Sequence, residues 1–481
     1  MTLKLDNIRE CLDGVIPGTI ATCSSDGTPN VTYLSQVEYI DSEHVATSYQ
    51  FFNKTRRNIL ENPYARMLVI HPFTAARYRL LVQYLRTETA GPLFERMKAK
   101  LAGIASHTGM AGVFRLLGSD IYRVLELESV PGRSLQPPPV RNCLAALRGA
   151  AERIRSCTDL DALFQETLAS LDAWCGIRHA MLLMLDGPAG RLYAVASRGY
   201  DESGIGSEIA VGDGVIGVAA RERTPIRVGH MTSEYGYGRA IRRNIEQDGM
   251  GVILENEIPL PGLPASRSQL AVPILALGRL LGVLFVESTE DLRFGYDDED
   301  ALVALAAQLG VAIYALQQLC ETSEESATRE AAPATTRGAP LLVRHYPEDD
   351  TVFLGNDYLI KGVAGSILWT LLCDYSQKKR TCFTNRELRL DPRVHLPDMS
   401  DNLEARLVLL RRRLAERNAN ISIQKTARGR FSLVWPAHSN WSRSPQQIRG
   451  KCLYCLGFTR CTTVCASASL LVFRKTFLTS P

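Results

Sequence analysis

The 481-residue chain has no uninterrupted apolar run of the roughly 18 residues that a bilayer-crossing helix needs. No membrane span is therefore expected. No secretory leader is expected either, because MTLKLDNIRECLDG carries acids and has no apolar centre. Charge imbalance is small, at +4, so any nucleic-acid footprint has to be local. A balance of 46% apolar, 22% charged and 7% aromatic residues excludes a disordered chain or a collagen. There is no internal repeat, no Ser/His/Asp set, no Walker loop and no cyclase or kinase signature, and no catalytic residue is singled out. Paired cysteines are scarce. Of the twelve, eight stand alone (Cys11, Cys23, Cys143, Cys157, Cys175, Cys320, Cys373 and Cys382), which fits a reducing cytoplasm better than a disulfide framework.

The length does suggest several cores, at about 150 residues per domain. Two stretches have almost nothing to bury. SVPGRSLQPPPVRN, residues 129–142, contains three consecutive prolines, and ETSEESATREAAPATTRGAP, residues 321–340, is small and polar. Read as linkers, they leave blocks at 1–128, 143–320 and 341–436, followed by an uncertain tail at 437–481.

The first block reads as short strands near 17–24, 29–39 and 43–49, with Asp26-Gly27 as a hairpin turn that needs positive φ. A polar helix follows and stops at Asn62-Pro63. ARMLVI and GSDIYRVLELESV read as further strands. The segment SYQFFNKTRRNILENPYARMLV makes this block resemble the pyridoxamine-phosphate-oxidase-like FMN-binding split barrel, where that stretch holds the FMN phosphate. A phosphate dianion suits a helix N-terminus and cations. The resemblance thus implies Asn53, Lys54, Thr55, Arg56 and Arg57 as cofactor-binding residues. The arginine motif with which the family's enzymes grip pyridoxal has no counterpart in YRVLELESVPG, so a non-enzymatic role is favoured. The family also includes haem and deazaflavin binders, for which His71 and His107 are candidate ligands.

In the second block, Leu144, Leu147, Ile154 and Leu160 form one helical stripe, as do Leu163, Leu168 and Leu171. A hairpin turning at Leu277-Gly278-Arg279 and an acid-led helix close it. With Gly212-Asp213-Gly214-Val215-Ile216-Gly217, the strand leading to Pro273, and Gly282-Val283-Leu284, the block resembles a GAF domain. That implies a small-molecule pocket on one face of an antiparallel sheet. The stretch 231–268 is its natural lid, and Tyr235, Tyr237 and Arg239 are the candidate ligand contacts. Cys175 lacks the neighbouring histidine of a bilin attachment site.

The third block runs short strands, then an amphipathic helix over AGSILWTLLCDYSQK, with Leu359, Ile367, Leu368, Leu371 and Leu372 as core candidates. A second helix is opened by a Thr384/Glu387 capping box. A third is anchored by Leu403, Leu407, Leu410 and Leu414, and a hairpin turns at Ala427-Arg428-Gly429. This order resembles the winged helix of OmpR-type regulators, whose third helix enters the major groove. It implies DNA contacts from Asn402, Arg406, Arg411, Arg412, Arg413, Lys425, Arg428 and Arg430. In the tail, Cys452, Cys455, Cys461 and Cys465 have a spacing that would suit zinc. The tail's loss of acids argues instead for a sequence that is not evolved structure.

The expectation is therefore a multidomain α+β protein: a split β-barrel, then a GAF α/β sandwich with an antiparallel sheet, then a winged helix. Its expected role is a cytoplasmic regulator, as a homodimer, coupling a small-molecule ligand or FMN to DNA. The alternative is an FMN-dependent oxidoreductase with accessory domains.

Overall fold

The computed structural model describes residues 3–14, 16–50, 53–107, 115–137, 142–229, 258–322, 342–355, 357–394, 396, 403–417, 419, 421–434 and 469–472. After a 3-10 helix at Leu5–Leu12, the first block contains β1 (Gly18–Cys23), β2 (Pro29–Leu34), β3 (Val37–Tyr39), β4 (His44–Tyr49), α1 (Lys54–Glu61), β5 (Tyr64–Ile70), β6 (Arg77–Glu88), α2 (Pro92–His107) and β7 (Gly118–Val130). They form a seven-stranded antiparallel half-barrel in the order β2-β1-β5-β6-β7-β4-β3. Gly27 adopts φ +86° in the turn that sets Cys23 opposite Pro29. The half-barrel closes over Ile20, Met67, Leu80, Val82 and Tyr122, with the 3-10 helix as a plug through Ile8 and Leu12. Neither β6 nor α2 is part of the sequence expectation.

The second block has α3 (Cys143–Ser156), α4 (Leu160–Cys175), β8 (His179–Asp186), β9 (Arg191–Arg198), β10 (Glu208–Ala210), α5 (Gly214–Glu222), β11 (Ile226–Val228), β12 (Ser268–Ala276), β13 (Arg279–Ser288) and α6 (Tyr296–Thr322). The six-stranded sheet runs β10-β9-β8-β13-β12-β11. Leu277 at φ +49° and Gly278 at φ +75° make the expected tight turn. The Gly212–Gly217 run does serve a turn. The Gly212 amide donates to the Gly217 carbonyl at 2.8 Å, and a Cβ on Gly217 would lie 2.3 Å from the Ala210 carbonyl oxygen. Within α6, Tyr296–Leu319 is long and apolar enough for a membrane span by composition. This corrects the expectation of no such segment. The stripe Leu302, Leu305, Leu309 and Ile313 is buried in the block's own core.

The third block has β14 (Leu342–Tyr346), β15 (Thr351–Leu354), β16 (Asp357–Ile360), α7 (Gly362–Lys378), β17 (Cys382–Thr384), α8 (Asn385–Leu390), α9 (Leu403–Glu416), β18 (Ser422–Ala427) and β19 (Arg430–Val434). From the tail, β20 (Ser469–Val472) pairs antiparallel with β14. Thr384 and Glu387 form the capping box as read. The cores of the second and third blocks merge: Tyr193, Val195 and Ile205 belong to the same buried cluster as Leu359, Leu409 and Leu410.

Candidate functional sites

Helix α1 begins where the phosphate site is expected. The Asn53 side chain accepts the Arg56 amide at 2.9 Å, so it caps the helix. Helix geometry leaves the amides of Lys54 and Thr55 without an intrahelical acceptor. Lys54 and Arg57 are exposed beside them, and Thr55 Oγ1 accepts a hydrogen bond from Asn30 at 2.8 Å. Arg56 departs from expectation. Its Nη1 lies 2.5 Å from Asp120 and its Nη2 donates to Thr87 at 2.9 Å, with the guanidinium 4.6 Å from the Tyr49 ring centre. Burial pushes the Asp120 carboxyl up despite these donors. Arg56 is therefore a wall residue, satisfied by partners 31 and 64 residues away that local sequence reasoning did not reach. Lys54, Thr55, Arg57 and the first-turn amides remain, and they fit the phosphate end of FMN.

His71 is not arranged as a haem ligand. Its Nδ1 accepts the amides of Phe73 and Thr74 at 3.2 Å, which places the proton on Nε2, 2.8 Å from Glu10. Nδ1 staples the turn, and Nε2 faces the 3-10 helix. The side chain of His107 lies outside the described residues.

A buried ionic cluster joins the half-barrel to the second block, and no sequence motif announces it. Lys100 on α2 lies 2.9 Å from both Asp13 and Glu38. Arg227 on β11 bridges Asp13 at 2.5 Å and Glu299 of α6 at 2.7 Å. The guanidinium stands 4.4 Å from the centre of the Tyr296 ring, whose hydroxyl donates to the Leu12 carbonyl at 3.2 Å. Burial alone would raise the Asp13 carboxyl, but Arg227 and Lys100 together hold it well below the usual range. Ala99 of α2 also packs beside α5.

On the α5 face of the six-stranded sheet, His179, Glu287 and Gln269 are register neighbours on three adjacent strands. The Glu287 carboxylate accepts the Leu263 amide at 3.0 Å and a Gln269 amide hydrogen at 3.4 Å. It thereby fixes the C-terminal end of the candidate lid. Burial and Glu287 push the neighbouring Tyr200 phenol far above its usual range. Tyr235, Tyr237 and Arg239 lie outside the described residues.

The basic residues of the third block divide into two groups. Arg406 is 4% exposed and Arg413 5% exposed, which corrects the expectation that they face outward. Arg406 Nη2 is 2.7 Å from Asp186, at the end of β8, and its guanidinium lies 4.0 Å from the Tyr193 ring centre. Arg412 binds Asp161 through Nε at 2.9 Å and the Val195 carbonyl at 2.5 Å. Arg411 is 3.6 Å from Asp161. Arg413 donates to the Leu359 carbonyl at 3.1 Å and pairs with Glu416 at 2.9 Å. The physical reason is that α9 is covered on both sides: Arg406 and Arg412 are met by α4, β8 and β9, and Arg413 by β16 and Glu416 of its own block. Lys425 and Arg428, in contrast, are exposed at the hairpin, and Arg430 is half-buried. The Asn385 amide donates to the Gly429 carbonyl at 2.9 Å, which sets the hairpin tip against the start of α8. Asn402 and the cysteines 452, 455, 461 and 465 lie outside the described residues.

Comparison with known proteins places two domains. Residues 5–116 match the family model for pyridoxamine 5'-phosphate oxidase, and residues 159–313 match that for the GAF domain. The half-barrel is thus similar to the first family and the six-stranded-sheet domain to the second. Among solved structures, the GAF domain of an Acinetobacter phosphoenolpyruvate-protein phosphotransferase is 18% identical, covering 38% of this chain and 99% of that one, with a TM-score of 0.29. Free methionine-R-sulfoxide reductase from Neisseria meningitidis is 21% identical, with coverage of 38% and 98% and a TM-score of 0.29. An FMN-binding protein from Syntrophomonas wolfei subsp. wolfei is 17% identical, with coverage of 27% and 87% and a TM-score of 0.22. An uncharacterised protein of Methanocaldococcus jannaschii is 48% identical over 46 residues, which is 9% of this chain and spans only 31% of that relative.

Proposed function

We propose that the chain is a sensory regulator in which a flavin-type barrel and a GAF domain report on a small molecule to a C-terminal basic module of winged-helix type that contacts DNA. The carrying observation is the central position of the GAF domain. Asp13, Lys100, Arg227 and Glu299 bind it to the barrel, and Asp161 and Asp186 bind it to α9. A ligand with different affinity for two arrangements of such a joint biases the modules on both sides. The order β14–β16, α7, β17, α8, α9 and the β18–β19 hairpin supports the winged-helix reading, and exposed Lys425 and Arg428 suit phosphate contact.

FMN, held by Lys54, Thr55 and Arg57, would supply a redox-active ring. This chain's residues would bind and orient its phosphate. A homodimer and a cytoplasmic setting belong to the same reading. Titrating the full chain with FMN while following flavin fluorescence tests the barrel arm. The expected result is saturable quenching, weakened at least tenfold in K54A/R57A. Equal quenching by the variant would refute the phosphate assignment. Turnover of a reduced nicotinamide by the loaded protein would favour the oxidoreductase alternative.

A further inference from the structure

We infer that the GAF domain holds α9 in an autoinhibited position, and that loop Ser203–Gly206 is the element that releases it. This rests on the DNA-binding reading above and names how that binding is regulated.

The helix is basic, yet two of its arginines are engaged by the GAF domain. Arg406 pairs with Asp186, and Arg412 with Asp161 and the Val195 carbonyl, while Arg411 stands 3.6 Å from Asp161. A nucleic acid and these two carboxylates compete for the same donors, because both are planar oxyanion partners for an arginine fork. The contact is also poor as a permanent core. Buried ion pairs roughly break even against apolar side chains of the same volume, since desolvation offsets the attraction. The ionic part of this contact therefore adds little net stability, and what a release has to overcome is the apolar part, the buried cluster that Leu409 and Leu410 share with Val195 and Ile205.

One loop touches both the helix and the candidate lid. Ser203 Oγ donates to Glu416 at the end of α9. A Cβ built on Gly206 meets Arg413 and Leu409 at 3.6 Å and Ile258 at 2.8 Å. One on Gly204 meets Pro261 Cδ at 2.0 Å. Ile258 and Pro261 lie in the stretch that Glu287 anchors through Leu263. A ligand that shifts this stretch therefore displaces the loop against which Leu409 and Arg413 sit. No second path between the lid and α9 is required.

The test uses the full chain and a fluorescein-labelled duplex of arbitrary sequence at low salt, with hydrogen exchange of segment 403–416 measured in parallel. D161N/D186N removes the competing charges at constant volume. R406A/R412A opens the same contact but removes the donors. The inference expects faster exchange in both variants and at least a tenfold gain in duplex affinity in D161N/D186N only. Unchanged exchange and affinity in D161N/D186N would overturn the release. Faster exchange with equal, measurable affinity in wild type and D161N/D186N would overturn autoinhibition and leave DNA binding standing. Faster exchange with no duplex affinity in any variant would overturn the DNA reading itself.

Discussion

Replacing Arg227 with alanine is the sharpest probe of how the barrel and the GAF domain are joined. The side chain is 3% exposed and sits between Asp13 and Glu299, each 13% exposed. Deleting one member of a buried charge group costs about 3–5 kcal/mol, chiefly because the remaining charge stays buried. Asp13 keeps Lys100 at 2.9 Å, so the lower end, about 3 kcal/mol, is expected. At roughly 2–4 °C per kcal/mol for a unit of 150–250 residues, the melting temperature falls by about 6–12 °C. The acid limb moves as well. A carboxyl held below its unfolded value contributes stability above about pH 4 and loses it as pH falls further. Without Arg227 the Asp13 carboxyl rises toward its unfolded value, so its ionisation contributes less at neutral pH, and the less stable protein reaches its acid-unfolding midpoint at higher pH. Differential scanning calorimetry and circular dichroism across pH 2 to 7 read both effects. R227M, which fills the space without charge, separates cavity from electrostatics. A melting temperature within about 1 °C of wild type and an unmoved acid midpoint would refute the reasoning.

Gly204→Ala is expected to cost more than about 2 kcal/mol in urea unfolding, since φ is +56° and the new methyl would overlap Pro261. Adding P261A should recover part of that loss, and strict additivity of the two would count against the contact. Burial, aided by Glu10, pushes the Cys11 thiol up to about 12. Iodoacetamide at pH 8 should therefore spare Cys11 in the native protein while labelling the partly exposed Cys23 and Cys382, as read by peptide mass spectrometry.

Periodicity carried the reading wherever one element faced one environment. The strand at 118–130 and the capping box at Thr384 are local patterns, and both stand where they were expected. Strand β6 escaped because in RYRLLVQYLRTE only Leu80 and Val82 are fully buried, and arginines occupy the solvent side. The third helix shows a different limit. Spacing put Arg406 and Arg413 on one flank of a leucine stripe, and the structure keeps them there. What spacing could not supply was the partner. Asp161 lies 251 residues before Arg412, and a guanidinium built for phosphate looks the same in sequence as one built for a buried aspartate. The ionic cluster around Lys100 was unreadable for the same reason, since its five members, Asp13, Glu38, Lys100, Arg227 and Glu299, come from five separate places in the chain.

The continuous core shared by Tyr193, Val195, Leu359 and Leu409 bears on how the chain behaves when cut. The polar stretch 321–340 invites truncation, yet severing it would strip apolar cover from both sides of the seam. Either fragment alone would present a sticky flank and tend to aggregate. The intact pair should melt as one cooperative transition rather than two, so proteolysis in that stretch would nick the backbone and leave the halves associated.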